Sequence, residues 1–128
     1  MDTSPHEVRD ACLRLIGAHL ANPALSQSWL ATQLHISRRQ LNRSFAGYPG
    51  TSEVIARWRL RAAMHVMRKQ PDLPVEQVAT VCGYSTYETF RSQARRLCGC
   101  TPGELRGLAI AGASAAPNNA VAEPGLFA

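Results

Sequence analysis

Four side chains within one six-residue stretch, Arg38, Arg39, Asn42 and Arg43, have the chemistry of a surface that reads nucleobases. An Arg guanidinium is a planar fork of donors that fits O6 and N7 of guanine. An Asn amide pairs with N6 and N7 of adenine, and each such bidentate contact discriminates by about 1–3 kcal/mol. At helical spacing Leu41, Ser44 and Phe45 share the inward stripe of this segment, which leaves the three Arg and the Asn outside. Further along, Tyr87, Glu88, Arg91, Ser92 and Arg95 stand opposite an inward stripe of Phe90, Ala94 and Leu97. That second face is more mixed. Glu88 can accept from cytosine N4, although its place in Ser85-Thr86-Tyr87-Glu88 makes it a helix-capping partner first. Tyr87 can lie on a thymine methyl or bond a phosphate.

These faces are useful only if short helices hold them outward, and the chain supplies the elements twice. Leu30-Ala31-Thr32-Gln33-Leu34-His35-Ile36-Ser37 recurs forty-eight residues on as Val78-Ala79-Thr80-Val81-Cys82-Gly83-Tyr84-Ser85. Each copy reads as the end of one helix, a tight turn, and a Ser that opens the next, the layout of a helix-turn-helix. Ser37-Arg38-Arg39-Gln40 and Ser85-Thr86-Tyr87-Glu88 both fit the capping box. The helix N-termini at Ser37, Arg38 and Arg39, and at Ser85, Thr86 and Tyr87, present free N–H groups suited to phosphates.

Charge follows the repeats. Residues 38–106 hold twelve of the fourteen bases against five acids, and thirteen of the fourteen are Arg. Arg57, Arg59, Arg61, Arg96 and Arg106 are further candidates for phosphate contacts, with Arg59 equally placed to cap a helix. The four cysteines, Cys12, Cys82, Cys98 and Cys100, and the four scattered His lack metal-ligand spacing, so neither a metal nor another cofactor is expected. Cys12 and Cys82 fall at apolar helical positions, where Cys is a small core residue. No apolar run approaches the roughly 18 residues that span a bilayer, and the N-terminus lacks the layout of a signal peptide. A cytoplasmic protein, associated with the nucleoid, is expected.

The pattern predicts an all-α fold of about seven helices with no β segment. A first helix carries Val8, Cys12, Leu15, Ile16 and Leu20 at helical spacing and ends at Asn22-Pro23. Ser26 or Ser28 caps the next. Residues 52–68 read as one long helix, roughly 25 Å, apolar on several sides and therefore packed on several sides. Pro74 suits the first turn of a helix over residues 75–82, which Gly83 closes in a left-handed conformation. The organisation is an N-terminal helix-turn-helix subdomain (1–50), a linker helix (51–70), a C-terminal helix-turn-helix subdomain (71–106) and an Ala/Gly/Pro-rich tail (107–128). The tail reads as mostly disordered, with helix around residues 108–111.

With these residues placed, the chain resembles the DNA-binding domain of AraC/XylS-family bacterial transcription regulators over residues 8–106. The resemblance rests on Arg59-Leu60-Arg61-Ala62-Ala63, on Val75-Glu76-Gln77-Val78-Ala79 followed by Cys82-Gly83-Tyr84-Ser85, on Phe90, and on Gly99-Cys100-Thr101-Pro102 with Glu104 and Arg106. It implies two subdomains on one linker helix and recognition helices in successive major grooves of double-stranded DNA. It implies base contacts from Arg39, Asn42 and Arg43, then from Tyr87, Glu88, Arg91 and Ser92. Activation of transcription through RNA polymerase is implied for most members. The chain departs from the family pattern at His35, in place of a turn Gly; at Ser92, in place of Arg; and at Ala94 and Cys98, in place of large aromatics.

The reading is a non-enzymatic, sequence-specific DNA-binding regulator whose first unit dominates recognition, with no small-molecule site in this chain. Two alternatives are a helical protein-interaction module with weakened DNA binding and a methyl-acceptor relative from DNA repair. The second of these needs an activated thiolate.

Overall fold

The computed structural model describes residues 4–112, and among them seven helices and no strand. They are α1 (Pro5–Ala18), α2 (Gln27–Leu34), α3 (Arg38–Ser44), α4 (Thr51–Lys69), α5 (Val75–Val81), α6 (Tyr87–Cys98) and α7 (Pro102–Ile110). Short polar side chains set most of the starts. Ser4, Ser26, Ser37, Thr86 and Thr101 each accept from the backbone N–H three residues on, which satisfies one donor that the first turn leaves free.

Two cores form around one shared strut. Val8, Cys12, Ile16, Leu20, Leu25, Leu30, Ala31, Leu41 and Phe45 close on Val54, Ile55 and Trp58 from the first half of α4. Leu60, Ala63, Met64 and Met67 from its second half close on Val78, Ala79, Tyr84, Phe90, Ala94, Leu105 and Ala109. Ala62 packs against both. The many-sided apolar pattern of α4 thus has its predicted explanation, since Val54, Trp58, Leu60, Ala63 and Met67 are almost fully buried. At 1.5 Å per residue its 19 residues span about 28 Å.

Several boundaries differ from expectation by one residue or a few. Of the two caps open for α2, Ser26 is the one used. Pro74 is the N-cap of α5 rather than part of its first turn. Leu15 is only half-buried, because α1 turns its Val8, Cys12, Ile16 edge to the core. Helix α7 runs past Arg106 to Ile110, and Ala109 is fully buried beside Leu105. The helix expected around residues 108–111 is thus the end of α7 rather than a separate segment. The remainder of the predicted tail, residues 113–128, lies outside the described residues.

Candidate nucleic-acid interface

The two copies of the repeat fold into the same turn. After α2, Ile36 N–H donates to Ala31 O (3.0 Å) and His35 N–H to Thr32 O (3.2 Å). After α5, Tyr84 N–H donates to Ala79 O (3.0 Å) and Gly83 N–H to Thr80 O (3.2 Å). The repeated Thr makes the same bond each time, Thr32 to Ser28 O and Thr80 to Glu76 O. This is the paired closure of a Schellman motif, and it needs a positive φ at its pivot. Gly83 supplies φ +94° without strain, whereas His35 adopts the left-handed region at φ 56°.

Past the turn the copies diverge. Ser37 caps α3 by accepting from Gln40 N–H (3.0 Å), and no return bond from Gln40 to the Ser37 N–H appears among the described residues. In the second copy Ser85 caps nothing. Thr86 does, accepting from Thr89 N–H (3.1 Å), so the capping box expected at Ser85 and Glu88 does not form. A reciprocal box closes instead at α7, between Thr101 and Glu104. Tyr84 is drawn into the core against Phe90, ring centroids 4.9 Å apart, and the chain takes one more residue before it turns into helix. In helical register Leu41 therefore matches Phe90, Asn42 matches Arg91 and Arg43 matches Ser92.

Helix α3 turns Arg38, Arg39, Asn42 and Arg43 to solvent, opposite buried Leu41, Ser44 and Phe45. Arg39 and Arg43 have no hydrogen bond or ion pair to any described residue, so their donors are available. Arg38 leans back on Ser28 Oγ at 3.4 Å. The Gln27 amide donates to Asn42 Oδ1, which orients the Asn from the start of α2. Nothing in the sequence pattern singled out Gln27, because an exposed Gln one helix away has no spacing signature.

On α6, Glu88, Arg91, Ser92 and Arg95 are exposed and border one depression of about 290 Å3 with Cys100 and Thr101. Glu88, freed from capping, pairs with Arg91 at 3.3 Å. Tyr87 is half-buried, its ring edge-on to Phe90, so only part of it faces outward. The N-terminal cap places Thr86 at the rim of this face.

Of the further Arg candidates, most are engaged within the protein. Arg59 donates from Nε to Leu20 O (3.1 Å) and from Nη2 to Asn22 O (2.8 Å). Arg106 donates to Leu73 O. Arg57 and Arg96 both reach Glu53, and Arg96 also takes Gln93 Oε1. These contacts hold the Glu53 carboxyl below its ordinary range, Arg96 above all. Arg61 is half-buried on α4.

The thiols are unsuited to nucleophilic work. Burial pushes both Cys12 and Cys82 up to about 12 and Cys98 up to about 11, and it raises Cys100 as well. A methyl acceptor needs the opposite shift. No helix among the described residues is long and apolar enough to cross a membrane.

The sequence profile of the helix-turn-helix domain matches residues 30–107. An AraC-type DNA-binding domain regulator from Chromobacterium violaceum is 28% identical, covering 80% of this chain and 91% of that one, with a TM-score of 0.67. The C-terminal domain of AraT, a response regulator from Geobacillus stearothermophilus, is 22% identical over 84% and 88% of the two chains, TM-score 0.72. The DNA-binding domain of AdpA, a global transcriptional factor solved with a target DNA, is 23% identical over 85% and 96%, TM-score 0.70. None of the curated proteins compared matches the chain. With its all-α architecture, its doubled turn and this match over more than half its length, the chain belongs to the AraC-type helix-turn-helix family of non-enzymatic DNA-binding transcription regulators.

Proposed function

We propose that this chain reads an asymmetric duplex site about two helical turns long, with α3 and α6 in successive major grooves on one face. The observation that carries the reading is the outer face of α3, where Arg39 and Arg43 stand exposed and unengaged beside an Asn42 oriented by Gln27. In this reading those three residues specify bases. Ser37, Arg38, Thr86 and Arg95 meet phosphates, together with the free N–H groups of the two helix starts.

The second unit reads less. Arg91 must leave Glu88 to meet a base, Ser92 offers one hydroxyl, and Tyr87 is half-buried against Phe90. Arg96 is occupied by Glu53 and acts by holding α6 rather than by meeting phosphate. That AdpA's DNA-binding domain was solved with a target DNA supports DNA as the ligand here. The protein acts in the cytoplasm, at the nucleoid, and activates transcription through a contact with RNA polymerase.

A titration of labelled duplex at low salt tests the reading. Binding is expected to weaken steeply as salt rises, with log K falling by about 0.9 per neutralised phosphate for each unit of log salt. Absence of duplex binding even at low salt would overturn it.

A further inference from the structure

The two units touch through few contacts besides α4. The extensive helix packing lies within the first unit, within the second, or between α4 and the second unit. The first unit meets α4 through Val54, Ile55 and Trp58. Along one side the joint stays open as a crevice of about 200 Å3, lined by Ser26 and Gln27 of the first unit, Ile55 and Arg59 of α4, and Thr89 and Gln93 of the second. A joint of this kind needs something else to set its angle.

That device lies where the chain leaves α1. The carbonyls of Leu20 and Asn22 lie two and four residues past the end of α1, in the turn that leads to α2, where Asn22 O also accepts from Leu25 N–H (3.0 Å). Arg59 forks onto both. From the other side the second unit's turn closes in. A Cβ built on Gly83 would lie 2.3 Å from Leu20 O and 2.9 Å from both Ala21 Cα and Ala21 C. Only a bare Cα fits there. One short segment of the first unit is thus gripped by the linker helix and by the turn that aims α6.

We propose that Arg59 and Gly83 pin the 20–22 segment and so fix the angle between α3 and α6, which sets the half-site spacing the protein accepts. The spacing consequence rests on the DNA-reading function above; the clamp itself does not. Arg59 is a positioning residue here, with both its forks turned inward rather than to phosphate. One inserted base pair moves a half-site by about 3.4 Å and turns it by about 35° around the duplex. A rigid pair of helices cannot follow that displacement, whereas a loosened pair can.

Arg59→Lys keeps the charge but cannot fork onto two carbonyls. Gly83→Ala keeps every charge and wedges the contact. Both are measured on duplexes carrying the selected site with its halves at the native spacing and one base pair closer or further apart. Residual dipolar couplings of the free proteins are recorded alongside. Wild type should prefer one spacing by about tenfold or more, and one alignment tensor should describe both units. Each variant should flatten or shift that preference and need two tensors, or one tensor at a new relative angle.

The proposal is overturned if Arg59→Lys and Gly83→Ala both keep the single wild-type tensor. It is equally overturned if affinity falls alike at all spacings, as it would for a phosphate contact. A wild type that binds no duplex but shows one tensor, lost in the variants, contradicts the DNA-reading function while upholding the clamp.

Discussion

Arg96 Nη2 of α6 lies 3.0 Å from Glu53 Oε1 in the first turn of α4, so α6 is tied to the long central helix by an ion pair between residues forty-three apart in sequence. Arg57 joins the same carboxylate from one turn along α4, at 3.2 Å. Ala94 and Cys98 give α6 little bulk to pack with, and this polar tie adds to what the apolar contact provides.

Replacing Glu53 with Gln should lower stability at neutral pH by about 0.5–1 kcal/mol, a modest figure because the pair is partly exposed and screened. The folded carboxyl is held below the ordinary range of a Glu side chain, with Arg96 the largest cause. Its contribution is therefore full above the unfolded pKa and disappears as pH falls through the lower folded one. Thermal melts of wild type and Glu53→Gln should differ at pH 7 and converge in strong acid. A gap that stays constant with pH would rule out the ion pair as its source.

The matched turn residues should respond with opposite sign. His35→Gly relieves a left-handed non-Gly residue and should raise stability by about 0.5–1 kcal/mol. Gly83→Ala forces a Cβ onto Leu20 O and should lower stability by about 1–3 kcal/mol. Urea unfolding of the two variants checks both signs.

On the outer face of α3, Arg43→Ala should relax preference at one base pair by about 1–3 kcal/mol while leaving most of the salt dependence in place. Competition between selected and scrambled duplexes measures it. An equal loss on both duplexes would make Arg43 a phosphate contact.

Cys12 and Cys82, pushed up to about 12 by burial, should resist alkylation at neutral pH in the folded protein and react quickly once urea unfolds it. Timed iodoacetamide labelling with mass spectrometry follows each thiol. Fast native labelling at either would contradict the buried, protonated state.

Much of the fold could be read from the sequence because its signals are local. The Ala-Thr pair closes each turn through bonds within six residues, and the apolar spacing of α4 anticipates its burial between two cores. The start of α6 could not be read this way. Ser37 and Ser85 are identical in sequence, yet only Ser37 caps, because Tyr84 is pulled into a core where Ile36 stays half-buried. The fates of the Arg residues were equally hidden. Arg59 and Arg106 end on backbone carbonyls more than thirty residues away, and a carbonyl is present at every position whatever the sequence. On the candidate interface, α3 stands as its stripe predicted, whereas α6 lacks the expected capping box and turns the Tyr87 ring partly inward onto Phe90.

Selection from randomised duplexes tests the central claim most directly. It should return an asymmetric site with two blocks of fixed bases about 10 base pairs apart, the block facing α3 more sharply defined and lost on Arg43→Ala. Recovery of no enriched sequence by the folded protein would contradict sequence-specific recognition, and a single block would contradict the paired use of α3 and α6.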